Sequence, residues 1–259
     1  MNCYISSIHY FPIKSLSFSN LKKCFIKKNL GILNDRCFAF SRSINYEKAK
    51  LIEQFPNERK LNYFLTLKNT PVLNKYNFLF KDKKLILSKD NKIVMSISSE
   101  NNSQFNLVGD RLINLEKSLI EPIFLLKNKN YPFFDTTHSN KISNTISLIN
   151  INSIKDLEKK NNTIVEFERF RGNLYVGGID AWEERNWIGS IIKINKTSYI
   201  VNKHIPRCSA TNLKPGTDNI TINLPTVLKK HFNHIDMGVY ITPLDDGEIN
   251  IGDQITLYG

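Results

Sequence analysis

Over most of the chain, apolar and polar residues alternate with a period of two in short runs broken by polar turns, the pattern of half-buried strands. Residues 3–10, 36–42 and 62–68 read as strands, and YNFLFKDKKLILS (76–88) as a hairpin turning at Lys81 to Lys84. Helical spacing first appears after Asp110, where Leu112, Leu115 and Leu119 share one face and Asp110 is the expected cap of a helix running to about Ile120. This helix is expected to link two halves of the chain. The polar stretch from Lys127 to Thr145, with Pro132, reads as a loop. A strand then enters at Ile146, and ISLININSIKDLEKKNN passes from strand to helix with Ser153 and Asp156 as a capping-box-like start. Residues 191–204 and 239–259 read as hairpins, the second turning at Asp245, Asp246 and Gly247, with a helix around Pro225 to Phe232 between them. No fixed-period repeat occurs. Short strands with closely spaced turns predict barrels or sandwiches rather than a doubly wound parallel sheet.

The length of 259 residues and 41% hydrophobic content allow one large domain or two smaller ones with a real core. Collagen-like, disordered and small disulfide-scaffold classes are excluded. No apolar run approaches the roughly 18 to 20 residues of a membrane-spanning helix, and MNCYISSIHYFPIKS lacks the basic-then-apolar order of a leader, so a cytoplasmic protein is expected. The net charge of +12 is uneven: residues 1–100 carry 18 basic and 7 acidic side chains, a balance of +11, against 18 and 17 in the remainder, +1. Such a field attracts nucleic acid, a phosphorylated ligand or an acidic protein, or is a solvated lysine surface. Without a helix-turn-helix or RNA-recognition signature, nucleic acid is not expected. With 28 Lys to 8 Arg, the positions that carry Arg are the informative ones.

Cys3, Cys24, Cys37 and Cys208 lie 21, 13 and 171 residues apart, which leaves no C-x-x-C pair and restricts cysteine chemistry to single thiols. No glycine-rich phosphate loop and no G-x-S-x-G elbow is present. The densest polar constellation is RFRGN (169–173). On a strand, Arg169 and Arg171 project to one face and Asn173 follows, a row suited to an anionic, hydrogen-bonding heterocycle or else to ion pairing with Glu166 and Glu168. In HIPRCSAT (204–211), Arg207 precedes Cys208 and Thr211 follows. A cation beside a thiol favours the thiolate, which is nucleophilic and binds soft metals, although a lone cysteine is more often a buried apolar residue. Cys3, Cys24 and Cys37 sit in apolar contexts and read as core. His231, His234 and Asp236 form H-x-x-H-x-D, discounted as a metal triad because it straddles a helix end. Lys14 and Ser15 of FPIKS offer one ammonium and one hydroxyl to a phosphate.

In chain order, FPIKS (11–15), NDRCFAF (34–40), FRGN (170–173), DAWEERNWIG (180–189), PRCSATNLKPGT (206–217), DMGVY (236–240) and GEINIGD (247–253) resemble the MOSC-domain proteins, the molybdenum-cofactor sulfurase C-terminal family with its N-terminal β-barrel companion. The layout is similar to that of bacterial relatives of the mitochondrial amidoxime-reducing component. Gly172 stands where relatives carry Pro, and Pro206 where some carry Ser.

The resemblance implies a mainly β fold with a few short helices: an N-terminal β-barrel domain over 1–105 and a β-barrel MOSC domain over 106–259. It further implies a pterin-dithiolene molybdenum cofactor with Cys208 as metal ligand and catalytic residue. Lys14, Ser15 and Arg36 map onto the phosphate grip and Arg171 and Asn173 onto the pterin, with Arg207 and Thr211 beside the cysteine. The pterin contact before the ISLIN strand falls on Ser143 and Thr145 or on Asp135 to Thr137. The implied activity is reduction of N-hydroxylated or other N-oxygenated small molecules by oxygen-atom transfer. The alternative is a non-catalytic sulfur or cofactor carrier. With no cysteine-rich extension, electrons are expected from a separate ferredoxin-, flavodoxin- or cytochrome b5-like protein.

Overall fold

The computed structural model describes residues 2–16, 19–28, 30–134 and 146–258. In its first half the strands are β1 Tyr4–Tyr10, β2 Ser19–Leu21, β3 Lys23–Lys27, β4 Gly31–Ile32, β5 Phe38–Phe40, β6 Tyr76–Lys81, β7 Lys84–Lys89, β8 Lys92–Ser98 and β9 Leu125–Lys127, with helices α1 Tyr46–Gln54 and α2 Phe105–Leu115. The second half holds β10 Ile146–Asn150, α3 Ile151–Asn161, β11 Leu174–Gly177, β12 Ile191–Ile194, β13 Thr197–Pro206, α4 Leu224–Phe232, β14 Asp236–Pro243, β15 Gly247–Asn250 and β16 Ile255–Tyr258. The class is mainly β, as the alternating pattern predicts.

Closed barrels are not formed. One eight-stranded sheet runs β16-β12-β13-β14-β10-β11-β1-β2, and three small sheets pair β15-β3-β4, β5-β9 and β6-β7-β8. The large sheet curls until its ends meet, but β1 reaches the start of β16 through a single Tyr4–Gln254 bridge and a few backbone bonds, such as Ile5 N to Asp253 O at 2.9 Å, rather than a ladder. Two main cores result. The first lies inside the curled sheet, from Ile5 and Ile8 through Leu148, Val176, Trp187 and Tyr199 to Ile241 and Ile249. The second packs Phe38, Phe40, Tyr76 and Phe78 against Phe105, Val108 and Leu112 of α2. Residue 105 is therefore the first residue of α2, and β1 and β3 of the N-terminal segment pair with β11 and β15 of the last third.

Local chemistry accounts for the elements that fall where expected and for those that do not. Asp82 and Lys83 at the β6–β7 turn both have positive φ (49° and 60°), the two-residue geometry that follows the strand twist. The expected strand at 62–68 is instead a 3-10 turn, Leu61–Tyr63, and a loop in which Thr66 and Asn69 bond each other's backbone N–H groups, while Phe64, Leu65 and Leu67 are still buried. Helix α2 begins five residues before Asp110, which is exposed in mid-helix, and ends at Leu115. The cap of α3 is Asn150, accepting from Asn152 N at 3.0 Å; Ser153 is buried and bonds Glu184 instead. Residues 239–259 are no hairpin: β14 pairs with β10 and β13, β15 with β3 and β16 with β12.

Gly238 of the DMGVY run has φ +78°, and a Cβ there would overlap the Leu148 carbonyl and lie 2.8 Å from Ile149 Cγ1. Left-handed backbone and overpacking each cost about 1–3 kcal/mol, so Gly238→Ala is expected to lower unfolding free energy by about 3 kcal/mol in a denaturant titration. An unchanged midpoint would contradict this close approach of β14 to β10.

Candidate functional site

Lys14, Ser15, Arg36, Arg171, Asn173, Arg207, Cys208 and Thr211 all line one cavity of about 210 Å³. Segments distant in sequence bring them there. Lys14 follows the Ile13–Phe38 bridge and donates its backbone N–H to Phe38 O at 2.8 Å. Its buried side chain sends Nζ to the Phe133 carbonyl at 3.3 Å. Ser15, Arg36 and Arg171 all adopt left-handed φ, 61°, 53° and 51°, which side-chain-bearing residues seldom do. Strain of this kind collects at binding sites, and here the fold holds it in place, with Arg36 N bonded to Phe11 O at 2.6 Å and Arg171 N to Glu168 O at 3.1 Å.

Arg169 and Arg171 do not share a strand face. Arg169 lies within a 3-10 turn, Phe167–Phe170, and Arg171 is the left-handed residue after it. Each of the two expected roles goes to a different arginine. Arg169 is ion-paired with Glu166 at 2.6 Å and also donates to Asn212 O and Thr221 Oγ1. Among the described residues Arg171 has no acidic partner at bonding distance. Its Nη2 is buried and unbonded, and its guanidinium lies 4.4 Å from the Phe11 ring centroid, with that of Arg36 at 4.7 Å from the same ring. Burial first, then the positive charge of Arg36, lowers the Arg171 pKa to about 9. A buried donor without an acceptor beside a second cation is a wall that lacks an anion or a hydrogen-bond acceptor.

The countercharge present is Asp35, 2% exposed, whose carboxylate accepts from Phe11 N at 2.7 Å, from Asn173 Nδ2 at 3.2 Å and from Arg36 Nη1. Sequence reasoning passed over Asp35, although it is the only acidic residue before Glu47. Phe134, Ser147 and Tyr240 also line the cavity and were likewise passed over. Asn173 is tied into the protein: its Oδ1 accepts from Ser147 Oγ at 2.9 Å and its Nδ2 donates to His9 O. Gly172 has a local reason: its N–H donates to Tyr175 Oη at 3.1 Å, which Pro cannot do, and a Cβ would lie 2.7 Å from Ile149 Cδ1. Ser143, Thr145 and Asp135 to Thr137 lie outside the described residues.

Cys208 lies two residues beyond the end of β13 and is exposed at the cavity, whereas Cys3, Cys24 and Cys37 are buried. Burial pushes those three thiols up to about 12, which keeps them protonated and unreactive. Arg207 is buried and donates to the Phe170 and Met237 carbonyls, a clamp of β13 onto β14 that also leaves a positive charge beside Cys208. Thr211 Oγ1 donates to Cys208 O at 2.8 Å and fixes the turn that presents the thiol. Among the described residues no group of three or more His, Cys, Asp or Glu side chains is placed to hold a metal. The H-x-x-H-x-D run is committed elsewhere, Asp236 pairing with Arg185 at 3.2 Å and His234 stacking on Phe232.

A cavity joining an exposed thiol to an anion-receptive arginine wall, in a curled sheet, defines the class. Residues 135–256 match the family described as MOSC domain, so the chain carries a MOSC domain in that part. The family is known to bind the molybdenum cofactor. Among solved structures, the chain is similar to YiiM from Geobacillus stearothermophilus, 18% identical over 44% of this chain and 54% of that one, with a TM-score of 0.36. It is also similar to the YuaD protein from Bacillus subtilis, 10% identical over 100% of this chain and 98% of that one, with a TM-score of 0.47. The match thus spans about half of YiiM, and neither likeness bears on activity. No curated protein matches the chain. No helix among the described residues is long and apolar enough to cross a membrane.

Proposed function

We propose that this protein is a molybdenum-cofactor oxidoreductase that reduces N-hydroxylated or other N-oxygenated small molecules, with Cys208 as the protein's ligand to the metal. The observation that carries the reading is the pairing, in one cavity, of the exposed Cys208 thiol with the buried, unbonded Nη2 of Arg171. Those residues fit the group: a soft thiolate for the metal, and guanidinium and ammonium groups for an anionic, hydrogen-bonding ligand. When bound, the cofactor supplies a two-electron metal centre competent for oxygen-atom transfer.

The chain's own residues bind and orient. Lys14, Ser15 and Arg36 hold the phosphate, Arg171 donates to the pterin, and Asn173 fixes Ser147, Asp35 and β1 around it. Arg207 and Thr211 set the position and the field of the Cys208 sulfur. The chain is proposed to work as an N-terminal unit and a MOSC unit with this cavity between them. The test is turnover of an amidoxime with a small artificial reductant, by protein made in a cofactor-producing host. Reduction to the amidine is expected; a molybdenum-loaded protein that reduces no N-oxygenated compound would make it a carrier instead.

The excess of 18 basic over 7 acidic side chains in residues 1–100 exceeds what one phosphate uses, and is proposed to dock an acidic electron-donor protein. Complementary fields act mainly on association rate and are screened over about 8 Å at physiological salt. Turnover limited by such a donor is expected to fall steeply as salt rises, while turnover with a small neutral reductant stays level. Equal salt dependence for both would contradict docking.

A further inference from the structure

We infer that another cavity, of about 400 Å³ and lined mainly from the N-terminal half, is a binding site for an apolar carboxylate. Arg42 would take the carboxylate, and Leu65, Val72, Leu119 and Ile120 the hydrocarbon body. The cavity shares no lining residue with the one that holds Cys208, and the inference does not rest on the proposed function.

The bonding of the polar groups in the wall decides what fits. The Arg42 backbone is fixed: its N–H donates to Tyr63 O at 2.8 Å, one residue after the Ser41–Phe64 bridge. Its side chain is uncommitted. Among the described residues the half-buried Arg42 guanidinium has no hydrogen bond, ion pair or ring contact. The neighbouring polar side chains differ. Asn69 accepts from Thr66 N and Thr70 Oγ1, each at 2.8 Å, and donates to Phe64 O at 3.1 Å, so the loop uses Asn69 and Thr70 to hold itself. Asp218, the acid of the lining, is ion-paired at 2.7 Å with Lys75, which ends the 3-10 turn Pro71–Lys75. Ser118 keeps an unbonded hydroxyl that can donate as well as accept.

One acid with its own cation and one cation without an acid leave this wall short of a single negative charge. A guanidinium holds a carboxylate through two parallel N–H bonds. Leu65 and Leu119 are buried and Ile120 is 62% exposed, which gives the cavity an apolar floor and an apolar rim suited to a hydrocarbon body rather than a bare ion. A doubly charged phosphate is a poorer match, because Arg42 is the one cation of the lining and Asp218 stands in the same wall.

The experiment titrates octanoate into the full chain by calorimetry, with acetate, which lacks the hydrocarbon body, and octylamine, which reverses the charge, as controls. Wild type is expected to bind octanoate and neither control over the same concentrations. Loss of a charge-assisted pair should weaken octanoate about tenfold or more in Arg42→Gln. The thermal midpoint of that variant should match wild type, since the guanidinium holds nothing in the fold. Ile120→Asp, a change at the exposed rim, should weaken octanoate independently by placing a like charge beside it. No octanoate binding, equal affinity in wild type and Arg42→Gln, or comparable binding of acetate or octylamine would overturn the inference. Affinity lost in Arg171→Met but kept in Arg42→Gln would place the carboxylate in the Cys208 cavity and overturn it too.

Discussion

Cys208→Ser is expected to abolish amidoxime reduction while leaving the fold intact. Loss of even an outer-shell partner of a metal ligand costs roughly 10–100-fold, and removal of the ligand itself should exceed that. A hydroxyl is a poor donor to a soft metal, whereas the exposed Cys208 sulfur packs against little. Circular dichroism and thermal midpoint should match wild type. Cys3, Cys24 and Cys37 give the opposite expectation: each is buried, so replacement by Ala should cost stability rather than turnover per bound metal. Full activity in a folded Cys208→Ser protein would remove the thiolate assignment, and an essential Cys37, which adjoins Arg36, would move it.

Arg171→Met is expected to stabilise the cofactor-free protein while stripping it of cofactor. The wild-type side chain is half-buried with its Nη2 buried and unbonded and Arg36 nearby, a penalty on the order of 1–3 kcal/mol that an apolar side chain of similar length does not carry. The folded-state pKa is lowered from the ordinary arginine value to about 9, so the penalty is present in full below about pH 9 and fades as pH rises above it. The buried thiols act in the opposite sense above pH 9, being raised to about 12, but they are common to both proteins and cancel in the difference. Denaturant titrations at neutral pH and near pH 10 should therefore show the variant ahead at neutral pH and the gap narrowing. Molybdenum content should fall in the same variant. A variant less stable at neutral pH with normal molybdenum content would contradict the idea that Arg171 awaits a ligand.

Lys14, Arg36, Arg171 and Cys208, singled out in the sequence by the family resemblance, line one cavity, but the geometry that joins them was not legible there. RFRGN has strand-like periodicity, while Glu166 pairs with Arg169 in a 3-10 turn and leaves Arg171 left-handed at the cavity without that ion pair. Asp35 escaped notice because one carboxylate in a basic segment looks like noise until its bonds to Phe11 and Asn173 are seen. Strands were found wherever alternation was clean, as in β6 and β7. Their partners were not, because nothing within residues 239–259 shows that β15 leaves β14 to pair with β3, more than two hundred positions earlier. Turn chemistry decided the loop at 62–68, where Thr66 and Asn69 bond the backbone in place of a neighbouring strand.

The central claim, that Cys208 holds the metal, is tested most directly by alkylation mapped by mass spectrometry on protein made with and without cofactor. Three of the four thiols are buried and one is exposed, so iodoacetamide should label Cys208 alone in the cofactor-free protein. In molybdenum-loaded protein Cys208 should be protected, and chelation that removes the metal should restore labelling. Cys208 that remains fully reactive in protein retaining its molybdenum would contradict the account.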